Sequence, residues 1–250
     1  DRMLDMGFHE DIMRIISYTP DQRQTLLFSA TYPDEIKEIS LAVQKDPLDV
    51  RVESLHDDNK IKQVFYEIEK GDRTKTLIAL LHHYRPESSV VFCNRKHQCK
   101  ELAEELWQQG FHALALHGDL EQKDRDQVLV QFSNKSSSIL IATDVAARGL
   151  DIKDLSAVIN FELSQDPEVH IHRIGRTGRA GKQGLALSLF MPSEAPKVNA
   201  VEQYQKSPVR IEPTSTLKMR ENFRLSPQMV TLCSNAGRKD KVRDGHILGA

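Results

Sequence analysis

The sequence predicts an α/β fold, a parallel sheet with helices on both faces. Three observations carry this. From Ile61 to Phe190, short apolar runs alternate with stretches whose apolar residues recur at three- and four-residue spacing, the pattern of repeated strand–helix units. The runs Val90-Val91-Phe92 and Ile139–Ala142 are apolar throughout, as strands covered on both faces are. Asp46–Lys60 is polar and carries a proline, which reads as a linker between two such units.

Element by element, Gln24–Ser29 reads as a buried strand. Pro33 suits a first helical turn, and Ile36, Ile39 and Val43 follow at helical spacing. Val64–Ile68 is the next expected strand, and Leu77, Leu80, Leu81 and Tyr84 form one helical face. Val90–Phe92 is a strand, followed by a helix whose stripe is Cys99, Leu102, Ala103 and Leu106. Ala113–Leu116 is a strand, with Val128, Leu129 and Phe132 lining the helix after it. Ile139–Ala142, Ala157–Phe161 and Leu185–Phe190 complete the strands. Parallel sheets of this kind place ligands beyond the carboxyl ends of their strands. Ser207–Pro227, with three prolines and mixed charges, reads as a second linker, and Met229–Cys233 as a new strand.

Bulk properties narrow the class. The 250 residues are enough for one large or two ordinary domains. A net charge of −2 gives no overall field for nucleic acid, so any such contact must come from a local cluster. The three cysteines, Cys93, Cys99 and Cys233, show no metal spacing and fit a reducing cytoplasm. No run of about 18 apolar residues suggests a membrane span, and no signal peptide is evident. The first residue is Asp1, and the sequence is expected to be an internal piece of a longer chain.

The chemistry-bearing stretches follow strands. His172-Arg173-Ile174-Gly175-Arg176-Thr177-Gly178-Arg179 sets arginines three residues apart, with glycines that let backbone approach a bulky anion. Arginine grips phosphate oxygens with two parallel hydrogen bonds. Ala142-Thr143-Asp144-Val145-Ala146-Ala147-Arg148-Gly149-Leu150-Asp151 is too small and polar for a core strand. His117-Gly118-Asp119 precedes Gln122 and Arg125, which share a helical face and can both donate to phosphate or ribose oxygens. Asp119 is either the N-cap of that helix, an anion-site residue, or both. Phe92-Cys93-Asn94-Arg95-Lys96 opens another helix, where Arg95 either reaches RNA phosphate or faces solvent. Gly175–Lys182 superficially suggests a phosphate-binding loop, but its glycine spacing is wrong and Gln183 stands where Ser or Thr is required.

Together these stretches resemble the DEAD-box RNA helicases, in the family's order. The His172–Arg179 run matches the last family motif in all eight residues, and Asp1–Phe8 resembles the stretch following the motif that names the family. The resemblance covers residues 1 to about 200. It implies a RecA-like fold, with the end of one lobe in residues 1–46, a linker in 47–60, a complete second lobe in 61–206 and a further linker in 207–227. Residues 228–250 resemble the start of an RRM-like RNA-binding domain appended in one bacterial branch of the family, although Thr231, Leu232 and Cys233 lack the usual stacking aromatics.

By that resemblance, Arg176 and Arg179 are catalytic fingers on the ATP γ-phosphate, and Asp1 is the final acid of the naming motif. Asp151 holds the ATP ribose. Asn94, Arg95, Gly118, Asp119, Gln122, Arg125, Thr143 and Gly149 contact RNA; the family usually has Thr where Arg95 stands. Ser29, Ala30, Thr31, Arg148 and His172 couple the lobes, although a buried structural histidine is the alternative for His172. The implied cofactors are ATP and Mg2+, the magnesium ligands falling mostly outside these residues. The implied partner is RNA, specifically structured ribosomal RNA or a large-subunit precursor, in the cytoplasm and away from membranes. The piece by itself is expected to be inactive. The competing readings are a passive RNA-binding or docking module without ATPase activity, and a related helicase acting on DNA.

Overall fold

The structure, a computed structural model, describes residues 8–28, 34–50, 61–147, 155–178, 183–219, Leu225, Pro227 and 229–232. The chain divides into two compact units, Asp1–Leu55 and His56–Ala250.

The first unit contains helices α1 (His9–Ser17) and α2 (Asp34–Val43). The stretch expected as a strand at Gln24–Ser29 is not one over its described residues, 24–28. A strand requires a hydrogen-bonding neighbour, and the described part of this unit contains no other strand. Side chains at the end of α2 hold the segment instead. Gln44 Nε2 donates to Thr25 O at 3.1 Å and Lys45 Nζ to Asp21 O at 3.1 Å. Ile39 and Val43 are buried as the helical spacing predicts.

The second unit is a seven-stranded parallel sheet. Its elements run β1 (Ile61–Glu67), α3 (Arg73–Tyr84), β2 (Ser89–Phe92), α4 (Lys96–Gln108), β3 (Ala113–Leu116), α5 (Gln122–Ser133), β4 (Ile139–Ala142), α6 (Asp144–Ala147), β5 (Ala157–Asn160), α7 (Pro167–Ile174), β6 (Gly184–Phe190), α8 (Ala195–Gln205) and β7 (Ile211–Glu212). The strand order is β3-β4-β2-β5-β6-β1-β7. Every pair is parallel; Val91, for example, lies opposite Ile141 and Ile159.

Alternating strand residues feed opposite faces. Val91, Ile141, Ile159 and Leu187 pack with Leu77, Leu80 and Leu81 of α3 and Cys99, Leu102 and Leu106 of α4. Val90, Phe92, Leu140, Ala142 and Val158 pack with Phe132 of α5 and Ala146 and Ala147 of α6. A smaller cluster joins Phe65, Leu163 and Phe190 to Val198 and Val201 of α8. Of the stripes read from the sequence, Leu77, Leu80, Leu81, Cys99, Leu102, Leu106 and Phe132 are buried and Tyr84, Ala103, Val128 and Leu129 partly so; fully burying a large side chain contributes about 1.5–3 kcal/mol. Strand β7 falls within 207–227, the stretch read as a linker. The described residues 229–232 are not in a strand, and Cys233 and the residues after it lie outside the described chain. Among the described residues no helix is long and apolar enough to cross a membrane.

Candidate functional site

Strands β2, β4 and β5 end side by side, and two residues beyond each end stand Asn94, Asp144 and Glu162. At the centre is Arg173, carried in on α7 and only 2% exposed. Helix α7 is placed by a well-formed start, Asp166 accepting from Glu168 N at 2.8 Å with Pro167 in the first turn. An unpaired buried guanidinium would cost several kcal/mol. Arg173 instead places all five of its N–H groups. Nε and Nη2 donate to the two oxygens of Asp144, each at 2.7 Å. Nη1 donates to Asn160 Oδ1 at 3.2 Å and Glu162 O at 2.7 Å, and Nη2 to Asn94 Oδ1 at 2.9 Å. The guanidinium also lies 5.0 Å from the centre of the Phe92 ring.

This hub fixes the loop after β2. The other end of the Asn94 amide donates to Leu163 O at 3.0 Å, and Asn94 N donates to Glu162 Oε2 at 2.8 Å. Asn94 is therefore committed to holding the loop, and Arg95 beside it is the exposed cation. Cys93 and Cys99 are free thiols sealed beneath the loop.

Neighbouring loops are tied on. Lys96 Nζ bonds Asp119 Oδ1 at 2.8 Å, linking the loops after β2 and β3, and holds that carboxyl below its ordinary range. Asp119 is not the N-cap expected of it; Glu121 occupies that position in α5. Exposed Gln122 donates to Asp126 at 2.7 Å, and Arg125 Nη2 to Ala146 O at 2.7 Å, tying α5 to α6. Thr143 Oγ1 accepts from Ala146 N at 3.4 Å at the start of α6. A Cβ on Gly118 would meet nothing within 4 Å, so the protein itself leaves that approach open.

The chain after α7 makes a tight turn. Leu155 N donates to Arg176 O at 3.3 Å, and Thr177 Oγ1 donates to Leu155 O. Gly178 sits at φ +72°, where a side chain is disfavoured. Gly184, opening β6, is pressed against this turn: a Cβ there would come within 2.3 Å of Gly178 N. Arg176 is half-buried and His172 exposed, which removes the buried reading of His172. Two residues earlier, His170 is 1% exposed, stacks on Phe65 at 5.5 Å and, among the described residues, has no hydrogen-bond partner on either nitrogen. Burial, then the Arg173 charge, push its pKa down to about 3.

Asn94, Arg95, Gly118, Asp119, Gln122, Arg125 and Thr143 thus lie on segments at or beside the carboxyl ends of the second unit's strands, whereas the turn carrying Arg176, bonded to Leu155 ahead of β5 and pressed on Gly184 at the start of β6, lies at the amino ends, and His172 sits on α7 leading to it. Asp1, Ser29, Ala30, Thr31, Arg148, Gly149, Asp151 and Arg179 lie outside the described residues. Sequence reasoning missed Arg173 as the hub, together with Asn160, Glu162 and Gly184. The one signal was Asn160, a polar residue closing an apolar run. Among the described residues no cluster of three or more His, Cys, Asp or Glu could hold a metal ion.

Residues 72–181 match the helicase conserved C-terminal domain and residues 1–39 the DEAD/DEAH box helicase domain. The chain is 48% identical, over all 250 residues, to 54% of the ATP-dependent RNA helicase DbpA of Escherichia coli (strain K12). Its fold matches the C-terminal domain of the DEAD-box protein Dbp5 at 32% identity and TM-score 0.59, covering 63% of this chain and 93% of that one. It also matches S. cerevisiae Dbp5 bound to RNA and ADP BeF3 at 29% identity and TM-score 0.74, covering 83% of this chain and 56% of that one. The chain spans about half the length of the curated relatives it matches.

Proposed function

Because this chain belongs to the DEAD-box RNA helicase family, we propose that the protein carrying it couples ATP hydrolysis to local separation of RNA duplexes. The observation that supports this best is the Arg173 hub, which joins the loop bearing Arg95, the loop entering α6 and the helix leading to Arg176. Groups suited to RNA phosphate and a group suited to nucleotide phosphate are thereby held in one rigid body.

In this reading Arg95 and Gln122 take RNA phosphates and ribose oxygens, and Gly118 admits the backbone. Such contacts ignore base identity. Asn94, Asp119, Arg125 and Thr143 hold the RNA-facing loops. Arg176 and Arg179 neutralise charge on the phosphoryl oxygens of ATP, and Asp151 accepts from the ribose hydroxyls. A finger of this kind contributes on the order of 10³-fold or more in rate. ATP supplies the bond that is broken. Arg176, half-buried on a braced turn, fits an anionic group. The described residues offer no donor set for magnesium.

DbpA-like residues at the carboxyl end support a structured ribosomal RNA target, a role in large-subunit assembly, and a cytoplasmic location. The test is RNA-stimulated ATP hydrolysis by the full-length protein with Arg179→Ala. Loss of about 10³-fold is expected; wild-type turnover would end the proposal.

A further inference from the structure

The stretch after α8 reads from sequence as a free linker, yet the lobe holds it at successive points. Val209 N donates to Glu202 Oε1 at 2.9 Å, and Phe65 N donates to Arg210 O at 2.8 Å. Ile211 and Glu212 then form β7, extending the sheet beside β1. Tyr66 Oη donates to Glu212 Oε2 at 3.3 Å and shares a 2.7 Å hydrogen bond with Tyr84 Oη. Lys218 N donates to His83 Nδ1 at 3.0 Å, and Leu217 packs on the main core.

A second group of contacts lies further along. Leu225 also packs on the main core. Met229 N donates to Lys135 O at 3.3 Å. Asn134 Nδ2 donates to Thr231 Oγ1 at 2.7 Å, and Thr231 Oγ1 to Ser136 Oγ at 2.8 Å. The turn Asn134–Ser136 leads into β4, so it lies at the amino ends of the strands, opposite the rim that carries Arg95 and Asp144. It also lies five strand spacings from β7, about 24 Å across the sheet. Glu212 and Met229 are 17 residues apart, a reach of at most about 56 Å. The crossing is therefore made without stretching the chain.

We propose that residues 208–219, Leu225, Pro227 and Met229–Leu232 belong to a strap bound to the second lobe, and that the turn Asn134–Ser136 is the docking point for Met229–Leu232. Ordering a chain costs roughly 1–2 kcal/mol per residue. A strand pairing, two leucines on the core and hydrogen bonds at both ends act against that cost, and Pro208, Pro213 and Pro227 lower it by restricting the unbound chain. The partner on this surface is the protein's own carboxyl-terminal segment. Docking there makes Met229–Leu232 move with the second lobe, on the side away from the rim that carries Arg95. This concerns chain geometry alone and is tested without ATP or RNA.

The test uses the full-length protein with Cys233→Ser. Thr231→Cys is combined with Ser136→Cys or, as a control, with Lys123→Cys at the far end of α5. Lys123 is about 20 Å from Ser136 along that helix. Oxidised glutathione is the oxidant. The two thiols lose two protons and two electrons to form one disulfide, and glutathione disulfide is reduced to two glutathiones. The Ser136→Cys pair is expected to close at least tenfold faster than the control, and Leu217→Ser to slow it severalfold. Equal rates for the two pairs would overturn the docking point. A rate unchanged by Leu217→Ser, in a protein of unaltered circular dichroism, would overturn the strap.

Discussion

Arg173 and Asp144 meet through two parallel hydrogen bonds of 2.7 Å, with the guanidinium almost wholly buried and the carboxylate partly exposed. Helix α7 is thereby bolted to the first residue of α6, and the loop that follows β4 is set by the helix that precedes Arg176.

Removing one member of this pair strands the other. Asp144→Ala is expected to destabilise the second unit by about 3 kcal/mol or more, and Asp144→Asn, which keeps the shape and one acceptor oxygen, by less. Urea unfolding of both variants checks the order. Equal losses would mean that the carboxylate charge alone satisfies Arg173 and that a neutral acceptor contributes nothing.

Gly184 has no room for a side chain. Gly184→Ala is expected to push Thr177 and Gly178 outward, costing about 1–3 kcal/mol. It should lower RNA-stimulated turnover of the full-length protein severalfold by displacing Arg176. Turnover and thermal midpoint measured on the same preparation check both halves.

His170 predicts an acid sensitivity. Its folded pKa is depressed to about 3 by burial and then by Arg173, so between that value and the ordinary histidine range only the unfolded chain takes the proton. Stability from this group is complete above pH 6.5 and declines as pH falls toward 3, by at most about 1.4 kcal/mol per unit. His170→Leu, set against Phe65, should flatten the fall in thermal midpoint between pH 7 and pH 5. An unchanged slope would assign the acid sensitivity to other groups.

Arg95 is the exposed cation beside the braced Asn94. Arg95→Ala is expected to weaken RNA binding uniformly across sequences. The slope of log affinity against log salt should fall by about 0.7, the contribution of one phosphate contact on a single strand. Titrations at several salt concentrations check this, and an unchanged slope would leave Arg95 without a phosphate.

Much of the fold was legible because it rests on short-range pattern. Val90–Phe92, Ile139–Ala142 and Ala157–Ile159 are apolar because both faces of each strand are covered, and Leu77, Leu80 and Leu81 are spaced by the helical turn. Gln24–Phe28 misled for the same reason: an apolar run states a wish for burial but not whether a neighbouring strand is present. Strand β7 escaped because two residues have no period. The rim was legible only as motifs. That Arg173 is the buried arginine and Arg176 the half-exposed one depends on the orientation of α7, and nothing in the spacing of three separates them. Asn94 read as a ligand contact, yet its amide is spent on Arg173 and Leu163. Gly184 gave no warning, since its constraint comes from a turn that only the fold brings against it.

A guanidinium with every proton assigned leaves no slack for its neighbours. Asn94, Asp144 and Asn160 each supply a side-chain acceptor to this one buried guanidinium, so their substitutions cannot drift independently. Among natural variants of this lobe, a change at one of them should travel with a change at another or at Arg173 itself. The four positions then behave in evolution as a single inherited character.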